Sequence, residues 1–532
     1  MIPALRKYHS QIYTAGIILL AVSLPLSRYL VSVAQLILIC NWLLEGDFRT
    51  KFHRIRKRRS LLVFLLVFLA HLVWLIPTTD FAYALRDIKI KLPLLVIPLV
   101  LATGKQLREN AIKMVLLFFI ASVLVSSFFS IYRLAVLASV PMADLRDISV
   151  FISHIRLSLL VNIAIFSLLY LLITGTFQWS RILRNVLWAS LAWLAFFLFI
   201  LQSITGIIIF FVTVTLFLIR FSGEFEKQYW YMRNSLLYGM SAIALIISLY
   251  ILVAALSFSN KPADESDLKT LTSSGNPYHH YPANRQMENG NYVWINISET
   301  ELEQEWNRRS SIDYRGSDMK GHEVRVTLIR YLASYGYAKD AEGVAQLTET
   351  DILNIERGMA NHIFQNSKFL YPRIYQILWE LDNYRKGGNP TGHSFAQRIE
   401  YWKAGIGIIT DNFLFGVGTG DVRLAYDEQY AKNESRLEPE WQLRAHNQFL
   451  TFIISFGIFG FLIVLFGMAA PFFMEKSHLK MLPFVFICIA ALSMLTEDTL
   501  ETQAGATFFA FFYSLFIFAG NKSDADEADH QD

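Results

Sequence analysis

The stretch Trp441-Gln-Leu-Arg444-Ala-His446-Asn447-Gln-Phe-Leu-Thr-Phe-Ile-Ile-Ser-Phe-Gly457-Ile-Phe-Gly460 decides how this chain is read. A polar, cationic segment runs without a break into an apolar run long enough to span a bilayer, and His446-Asn447 sits at the join. Arg444, His446 and Asn447 at the end of an apolar helix cost stability unless water, a partner or a ligand meets them there. Just upstream, residues 259–445 form an unusually long polar stretch. The join therefore marks where a large extramembrane domain meets the membrane surface.

Working outward, 54% of the residues are apolar and only 17% are charged. Repeated apolar runs approach the ~20 residues that cross a bilayer, and the length rule gives about twelve spans. They fall near 11–27, 29–44, 60–77, 91–103, 111–135, 157–176, 185–201, 205–221, 236–258, 446–470, 481–496 and 504–520. The fourth is the weakest, because it is short and Pro93 and Pro98 interrupt it. The predicted fold is an all-α polytopic membrane protein with one large, mainly helical loop domain before the tenth helix. Its expected divisions are a membrane region over 1–258, the loop domain over 259–445, a second membrane region over 446–520 and an acidic tail over 521–532.

Basic residues orient the array. Arg49, Lys51, Arg54, Arg56, Lys57, Arg58 and Arg59 crowd one loop. Arg6 and Lys7, Lys105 and Arg108, Arg181 and Arg184, Lys227 and Arg233, and Lys476 and Lys480 fall on the same side when the spans alternate. The positive-inside rule makes that side cytoplasmic, with both termini, and puts 259–445 outside. The net charge of +4 averages these two faces and says little. No nucleic-acid partner is expected, because topology and anionic lipid already account for the juxtamembrane basic runs. Cys40 and Cys488 both lie in apolar runs, so no disulfide framework supports the loop domain. The first apolar run lacks a small-residue cleavage site and reads as an uncleaved span.

Within the loop domain, turn formers (Asn260-Lys261-Pro262, Ser273-Ser274-Gly275-Asn276-Pro277, Asn289-Gly290-Asn291) give an irregular opening. The period then becomes helical. Residues 323–335 place Val324, Leu328, Tyr331 and Leu332 on one face, with Gly336 as the stop. Residues 350–365 and 371–384 repeat the pattern, and Gly387-Gly388-Asn389-Pro390-Thr391-Gly392 breaks it. Ser394-Phe-Ala-Gln397 has capping-box spacing and opens a helix carrying Arg398, Trp402 and Ile406.

Five groups carry candidate chemistry, most with a plainer alternative. His446 can take a proton from a hydroxyl, or it can be an interfacial histidine that caps or hydrogen-bonds locally. Arg398 can offer its planar fork to a pyrophosphate, or it can be a surface arginine paired with a nearby carboxylate. Arg156, at the start of the sixth span beside Ser153 and His154, can bind an anionic head group or snorkel. Arg86, Lys89 and Lys91 are basic on the outer side, against the usual bias. Glu497, Asp498 and Glu501 can hold a hydroxyl or orient a cation, with a solvated loop the favoured reading. Gly416-Val-Gly-Thr-Gly420-Asp421 has the look of a nucleotide loop, but no buried strand precedes it, so it reads as a flexible turn. No metal-ligand spacing and no nucleotide motif is found, so neither cofactor nor metal is expected.

Together these segments resemble the O-antigen ligase and O-antigen polymerase superfamily of bacterial envelope glycosyltransferases. The resemblance rests on Ser394-Phe-Ala-Gln-Arg398-Ile-Glu-Tyr-Trp402, on Asn412-Phe-Leu-Phe-Gly416-Val-Gly418-Thr-Gly-Asp421, and on Arg444-Ala-His446-Asn447-Gln-Phe-Leu450 followed by Gly457-Ile-Phe-Gly460. Weaker matches are Phe151-Ile-Ser-His154-Ile-Arg156-Leu-Ser and the Thr496-Glu497 region. The specific motifs cover roughly the last third of the chain. The resemblance implies an inner-membrane protein with both termini cytoplasmic and a periplasmic loop and active site. It implies transfer of a glycan from polyprenyl pyrophosphate to an acceptor hydroxyl, most simply on lipid A–core, without metal or nucleotide. By it, His446 is the counterpart of an essential histidine and Arg398 of an essential loop arginine. Arg156, Arg86 and Lys89 become further candidates for the pyrophosphate, and Asn447, Arg444, Trp402 and Glu497 for support. One departure stands out: Gln202-Ser203-Ile204-Thr205-Gly206 carries isoleucine where such ligases carry an arginine. Either Arg156 or the Arg86/Lys89/Lys91 group replaces it, or the substrate differs. A polysaccharide polymerase and a protein O-glycan ligase share this donor chemistry, and a twelve-span transporter is the alternative outside the class.

Overall fold

The computed structural model describes residues 3–136, 148–174, 180–221, 230–258, 268–366 and 370–520. The acidic tail, Lys227 and the Asn260-Lys261-Pro262 turn lie outside the described residues, as do the side chains of Arg6, Lys7 and Arg233. Every expected apolar run contains a helix. The first half holds α1 (Pro3–Leu26), α2 (Arg28–Leu44), α3 (Phe48–Lys57), α4 (Arg59–Val73), α5 (Phe81–Lys91), α6 (Pro93–Thr103), α7 (Glu109–Val136), α8 (His154–Thr174), α9 (Arg181–Ile200), α10 (Ile204–Arg220) and α11 (Trp230–Ser257). The polar stretch holds α12 (Glu299–Arg309), α13 (Val324–Tyr335), α14 (Ala341–Ala345), α15 (Glu349–Glu356), α16 (Leu370–Arg385), α17 (Ser394–Asp411) and α18 (Val422–Lys432). The chain closes with α19 (Gln448–Met474), α20 (Met481–Thr496) and α21 (Gln503–Tyr513).

The helices are unequal in length. Among the described residues six, within α1, α7, α8, α9, α11 and α19, are long and apolar enough to cross a bilayer, or seven if the bent pair α2–α3 is one span. The pair bends by 109° where Asp47 takes a left-handed φ of 51°. The helices α4, α10, α20 and Gln503–Phe518 are shorter and apolar, and α6, with Pro93 at its start and Pro98 inside, has only 11 residues. At one end of the bundle, Arg54 Nη1 donates to Thr103 O (2.7 Å), Leu107 N to Ala519 O (2.9 Å) and Arg58 Nε to Glu475 Oε1 (2.9 Å). The segments around residues 54–58, 103–107, 475 and 519 therefore meet at one end. The 80–91, 153–156, 444–447 and 497–502 segments gather at the other.

The main core fills the bundle, and two smaller cores lie in the polar stretch. One surrounds Trp306, Tyr331 and Leu332, and Gly336 (φ 75°) ends α13 as the sequence predicts. The other surrounds Tyr401, Ile408, Tyr426 and Tyr430 and includes Ile454 of α19, which ties the polar stretch to the bundle. Asn289-Gly290, both at positive φ, turns a hairpin whose two-residue strands, Met287–Glu288 and Asn291–Tyr292, form the only sheet among the described residues.

Three local expectations change. The helix expected over 350–365 ends at Glu356, because Gly358 (φ 75°) turns the chain and residues 362–366 form a separate 3-10 turn. Ser394 is the first residue of α17 and makes no capping box; instead Glu380 Oε2 of α16 accepts from Phe395 N at 2.8 Å. The glycine segment 416–421 is a packed strap and not a flexible turn. α19 breaks at Gly457 (φ 61°, ψ −171°), which frees backbone groups inside an apolar helix. The strap satisfies them: Val417 N and Gly418 N donate to Ile454 O and Ser455 O, both at 2.9 Å, and Ile458 N donates to Phe413 O at 2.8 Å. Such a break is tolerated at membrane depth only where protein meets the freed groups. A Cβ on Gly457 would collide with the carbonyl of Leu414, and one on Gly416 would lie 2.5 Å from Gly457 N.

Candidate active site

Asn447, and not His446, caps α19. Its Oδ1 accepts from Phe449 N (3.0 Å) and Leu450 N (3.1 Å), and its Nδ2 donates to Leu495 O (3.0 Å). This leaves the imidazole of His446 free for other work. His446 holds a left-handed φ of 48°, a conformation histidine adopts more readily than most residues. It is fixed by its own N–H donating to Asp498 Oδ2 (3.1 Å), by its ring lying 5.6 Å from that of Tyr401, and by Trp402 Nε1 donating to the preceding carbonyl of Ala445 (2.9 Å). Asp498 in turn accepts from Thr451 Oγ1 at 2.8 Å, and burial, reinforced by neighbouring Glu501, pushes its carboxyl above the usual range.

Glu497 joins the two residues singled out by sequence. Its Oε1 lies 3.3 Å from Arg398 Nη2 and its Oε2 3.9 Å from His446 Nδ1. Arg398, on the first turns of α17, is about one-third exposed, so the arginine is both paired with a carboxylate and accessible to a ligand. Arg156 approaches from α8. Its Nη2 donates to Thr502 Oγ1 at 2.9 Å, and it lines a cavity of about 80 Å³ with Ser153, Leu159, Glu497, Asp498 and Phe508. This small cavity, mostly apolar, opens from the carboxylate loop toward α1, α8 and α21.

Below this layer lies a closed ion cluster. Glu501 Oε2 accepts from Lys91 Nζ (2.8 Å) and from Arg444 Nη1, and its Oε1 from Gln448 Nε2 (3.0 Å). Lys91 also pairs with Asp87 at 2.7 Å and is buried. Burial alone would raise the Glu501 carboxyl, but Lys91 and Arg444 outweigh it and hold the group well below the ordinary carboxylate range. The loop between the last two apolar helices is thus not solvated as expected, since Glu501 is only 10% exposed. Arg444 supports the site as structure, bound to Glu501 and stacked 5.4 Å from the Tyr83 ring.

The three outer cations of α5 separate. Lys91 enters the cluster, whereas Arg86 and Lys89 are exposed on another face of the helix. The arginine-less stretch 202–206 packs on α8 one turn beyond Arg156: Ser203 Oγ lies 3.1 Å from Ser158 Oγ, and Asn162 Nδ2 donates to Gly206 O at 3.1 Å. Sequence reasoning missed Tyr401, Thr451, Gln448 and Thr502. Only the Asp87/Lys91 spacing of four, a helical ion-pair signature, offered a signal for the buried cluster. Among the described residues no group of three or more His, Cys, Asp or Glu side chains is placed to hold a metal ion.

Residues 346–465 match the family model described as O-Antigen ligase. This match supports the O-antigen ligase superfamily. No curated protein matches the chain. The O-antigen ligase match contains Arg398, Trp402, Arg444, His446, Asn447 and the Gly416/Gly457 contact, while Glu497 and Arg156 are brought to it from outside the matched residues. The match and the apolar helices together support a membrane protein of the ligase and polymerase type of glycosyltransferase family.

Proposed function

We propose that the chain transfers a glycan from polyprenyl pyrophosphate to an acceptor hydroxyl, most simply on lipid A–core, at the periplasmic face of a bacterial inner membrane. The observation that carries this reading is the Glu497 carboxylate set between Arg398 and His446 inside an O-antigen ligase match. When the sugar–phosphate bond breaks, the leaving pyrophosphate gains negative charge, and preorganised cations are the groups that stabilise it. Arg398 serves this role, with Arg156 in place of the arginine absent at Ile204. Glu497 then holds His446 through Nδ1, so that Nε2 faces the acceptor hydroxyl and takes its proton as the new glycosidic bond forms. Asn447, Trp402 and Arg444 keep that imidazole in place. Arg86 and Lys89, exposed on α5, are available to the donor's outer phosphate or to membrane lipid. The domain division at 259–445 and 446–520 would let the loop domain cover the glycan while the polyprenyl chain stays among the helices.

The test is envelope glycan analysis of a deletion strain complemented with wild type, His446→Ala or Arg398→Ala at matched membrane levels. Loss of polymer from lipid A–core, with lipid-linked polymer accumulating, supports the ligase. Accumulation of single lipid-linked repeats assigns a polymerase instead, and unchanged glycans with both variants reject glycosyl transfer at this site.

A further inference from the structure

A cavity of about 880 Å³ lies at the end of the bundle opposite His446, between α3 and the ends of α1, α2 and α6. Its size falls within the ~300–1,000 Å³ of small-molecule sites. Lys51, Arg54, Lys57, Arg58 and Lys105 line it against only Glu45 and Asp47, so its walls carry a surplus of positive charge. Two of the cations are committed: Lys51 Nζ pairs with Glu45 at 2.9 Å, and Arg58 with Glu475. Arg54 Nη1 bonds the carbonyls of Thr103 and Gly104, Lys105 Nζ contacts Ser10 Oγ at 3.2 Å, and Lys57 makes no ion pair among the described residues. Among the described residues these three thus lack a carboxylate. Against the same wall, the Tyr13 hydroxyl is buried with no hydrogen-bond partner among the described residues, and Tyr13 itself is only 6% exposed. An orphaned buried hydroxyl is costly unless something accepts from it. A ligand that presents anionic oxygens to cations and an acceptor to this phenol satisfies both.

Helix α3 shows where such a ligand comes from. It turns 109° away from α2, so it lies across the bundle end instead of continuing through it. Phe48 and Phe52, one turn apart, are 53% and 60% exposed, while Lys51 and Arg54 face inward to the cavity. A basic amphipathic helix with outward aromatics is the pattern of a segment lying in the head-group layer. We propose that this cavity binds the phosphodiester head group of an anionic phospholipid, held by Arg54, Lys57, Lys105 and the Tyr13 hydroxyl. The lipid fastens α3 to α1 and α6 and has no part in the chemistry at His446.

The experiment measures thermal unfolding of the purified full chain in detergent, titrated with phosphatidylglycerol, phosphatidylcholine or inorganic phosphate. Wild type should be stabilised by phosphatidylglycerol at far lower concentration than by phosphatidylcholine, and inorganic phosphate should give no shift. Equal stabilisation by both lipids, or the full effect from inorganic phosphate, would overturn the proposal. In Lys57→Gln/Lys105→Gln, at roughly a fivefold loss per juxtamembrane cation, the apparent phosphatidylglycerol affinity should fall by about thirtyfold. Tyr13→Phe should melt no lower than wild type without lipid and gain less from it. Unchanged phosphatidylglycerol affinity in the double variant would equally refute the site. Should that variant fail to fold, the wild-type comparison of lipids decides alone.

Discussion

Gly457→Ala is the substitution whose cost can be worked most directly from the geometry. The residue holds φ 61° and ψ −171°, a region open essentially to glycine alone, so alanine there carries about 1–3 kcal/mol of backbone strain. Its Cβ would also run into the carbonyl carbon and oxygen of Leu414, which are backbone atoms and cannot swing aside. The strap must then lift away, and the three bonds of 2.8–2.9 Å at Val417, Gly418 and Ile458 are lost together. A backbone group left unpaired in apolar surroundings costs about 1–3 kcal/mol, so the total is roughly 4 kcal/mol or more. Because the strap connects α17, which bears Arg398, to α19, whose first turn follows His446, transfer activity should fall further than the loss of folded protein explains. The assay is thermal unfolding of the detergent-solubilised protein beside Gly239→Ala. A Cβ at that glycine would meet nothing within 4 Å, so its alanine variant should stay within about 1 kcal/mol of wild type. If Gly457→Ala melts together with Gly239→Ala, the strap does not hold the break and the account of α19 is wrong.

Other substitutions separate the roles of the site residues. Glu497→Gln keeps the side chain's shape but removes the charge between Arg398 and His446; kcat should drop about a hundredfold at unchanged melting temperature, and wild-type kcat would remove Glu497 from the mechanism. Glu501→Gln leaves Arg444 without its carboxylate and Lys91 with Asp87 alone, and should cost about 3–5 kcal/mol at pH 7. Since the folded Glu501 carboxyl sits below its ordinary value, its stabilisation is complete above that value and is lost as pH falls. The gap between wild type and Glu501→Gln should therefore narrow by about 1.4 kcal/mol per unit below about pH 4.5, and a gap constant down to pH 3 contradicts the assignment. Arg156→Ala should abolish transfer, and adding Ile204→Arg should restore part of it, because that position opens α10 beside the first turns of α8. No restoration would mean that Arg156 does not stand in for the missing arginine.

Much of this is legible in the sequence because it rests on local signals. Apolar runs become helices, Gly336 ends one, and the polar join at 441–447 meets the first turn of an apolar helix. Arg398 and His446 stand out because their motifs are contiguous. Pairing over distance is not legible. Glu501 lies 410 residues from Lys91, so its acidic loop reads as solvated until the fold supplies two cations. The strap shows the same limit: Gly416-Val-Gly-Thr-Gly reads as a loose turn because its purpose is set by Gly457, on another element. His446 and Asn447 are ambiguous for the opposite reason, since either neighbour can cap a helix, and only the hydrogen bonds assign the cap to Asn447.

The two ion pairs nearest His446 differ in a way that sorts the cations by purpose. Arg444 and Lys91 share Glu501, a carboxylate 10% exposed, and removing a partner from such a buried pair costs several kcal/mol. A pyrophosphate competing for Arg444 would have to meet that cost before gaining anything. Arg398 meets Glu497 at a longer 3.3 Å through a single nitrogen, with both groups a quarter to a third exposed, and pairs of that kind are worth about 0–1 kcal/mol. An incoming dianionic phosphate therefore displaces Glu497 from Arg398 at little cost. Once displaced, the carboxylate still lies 3.9 Å from His446 Nδ1, near enough to close on that nitrogen. On the proposed function, donor binding and orientation of the base are then one event: the glycan donor would free Glu497 for the histidine, and without donor the same carboxylate stays between the two.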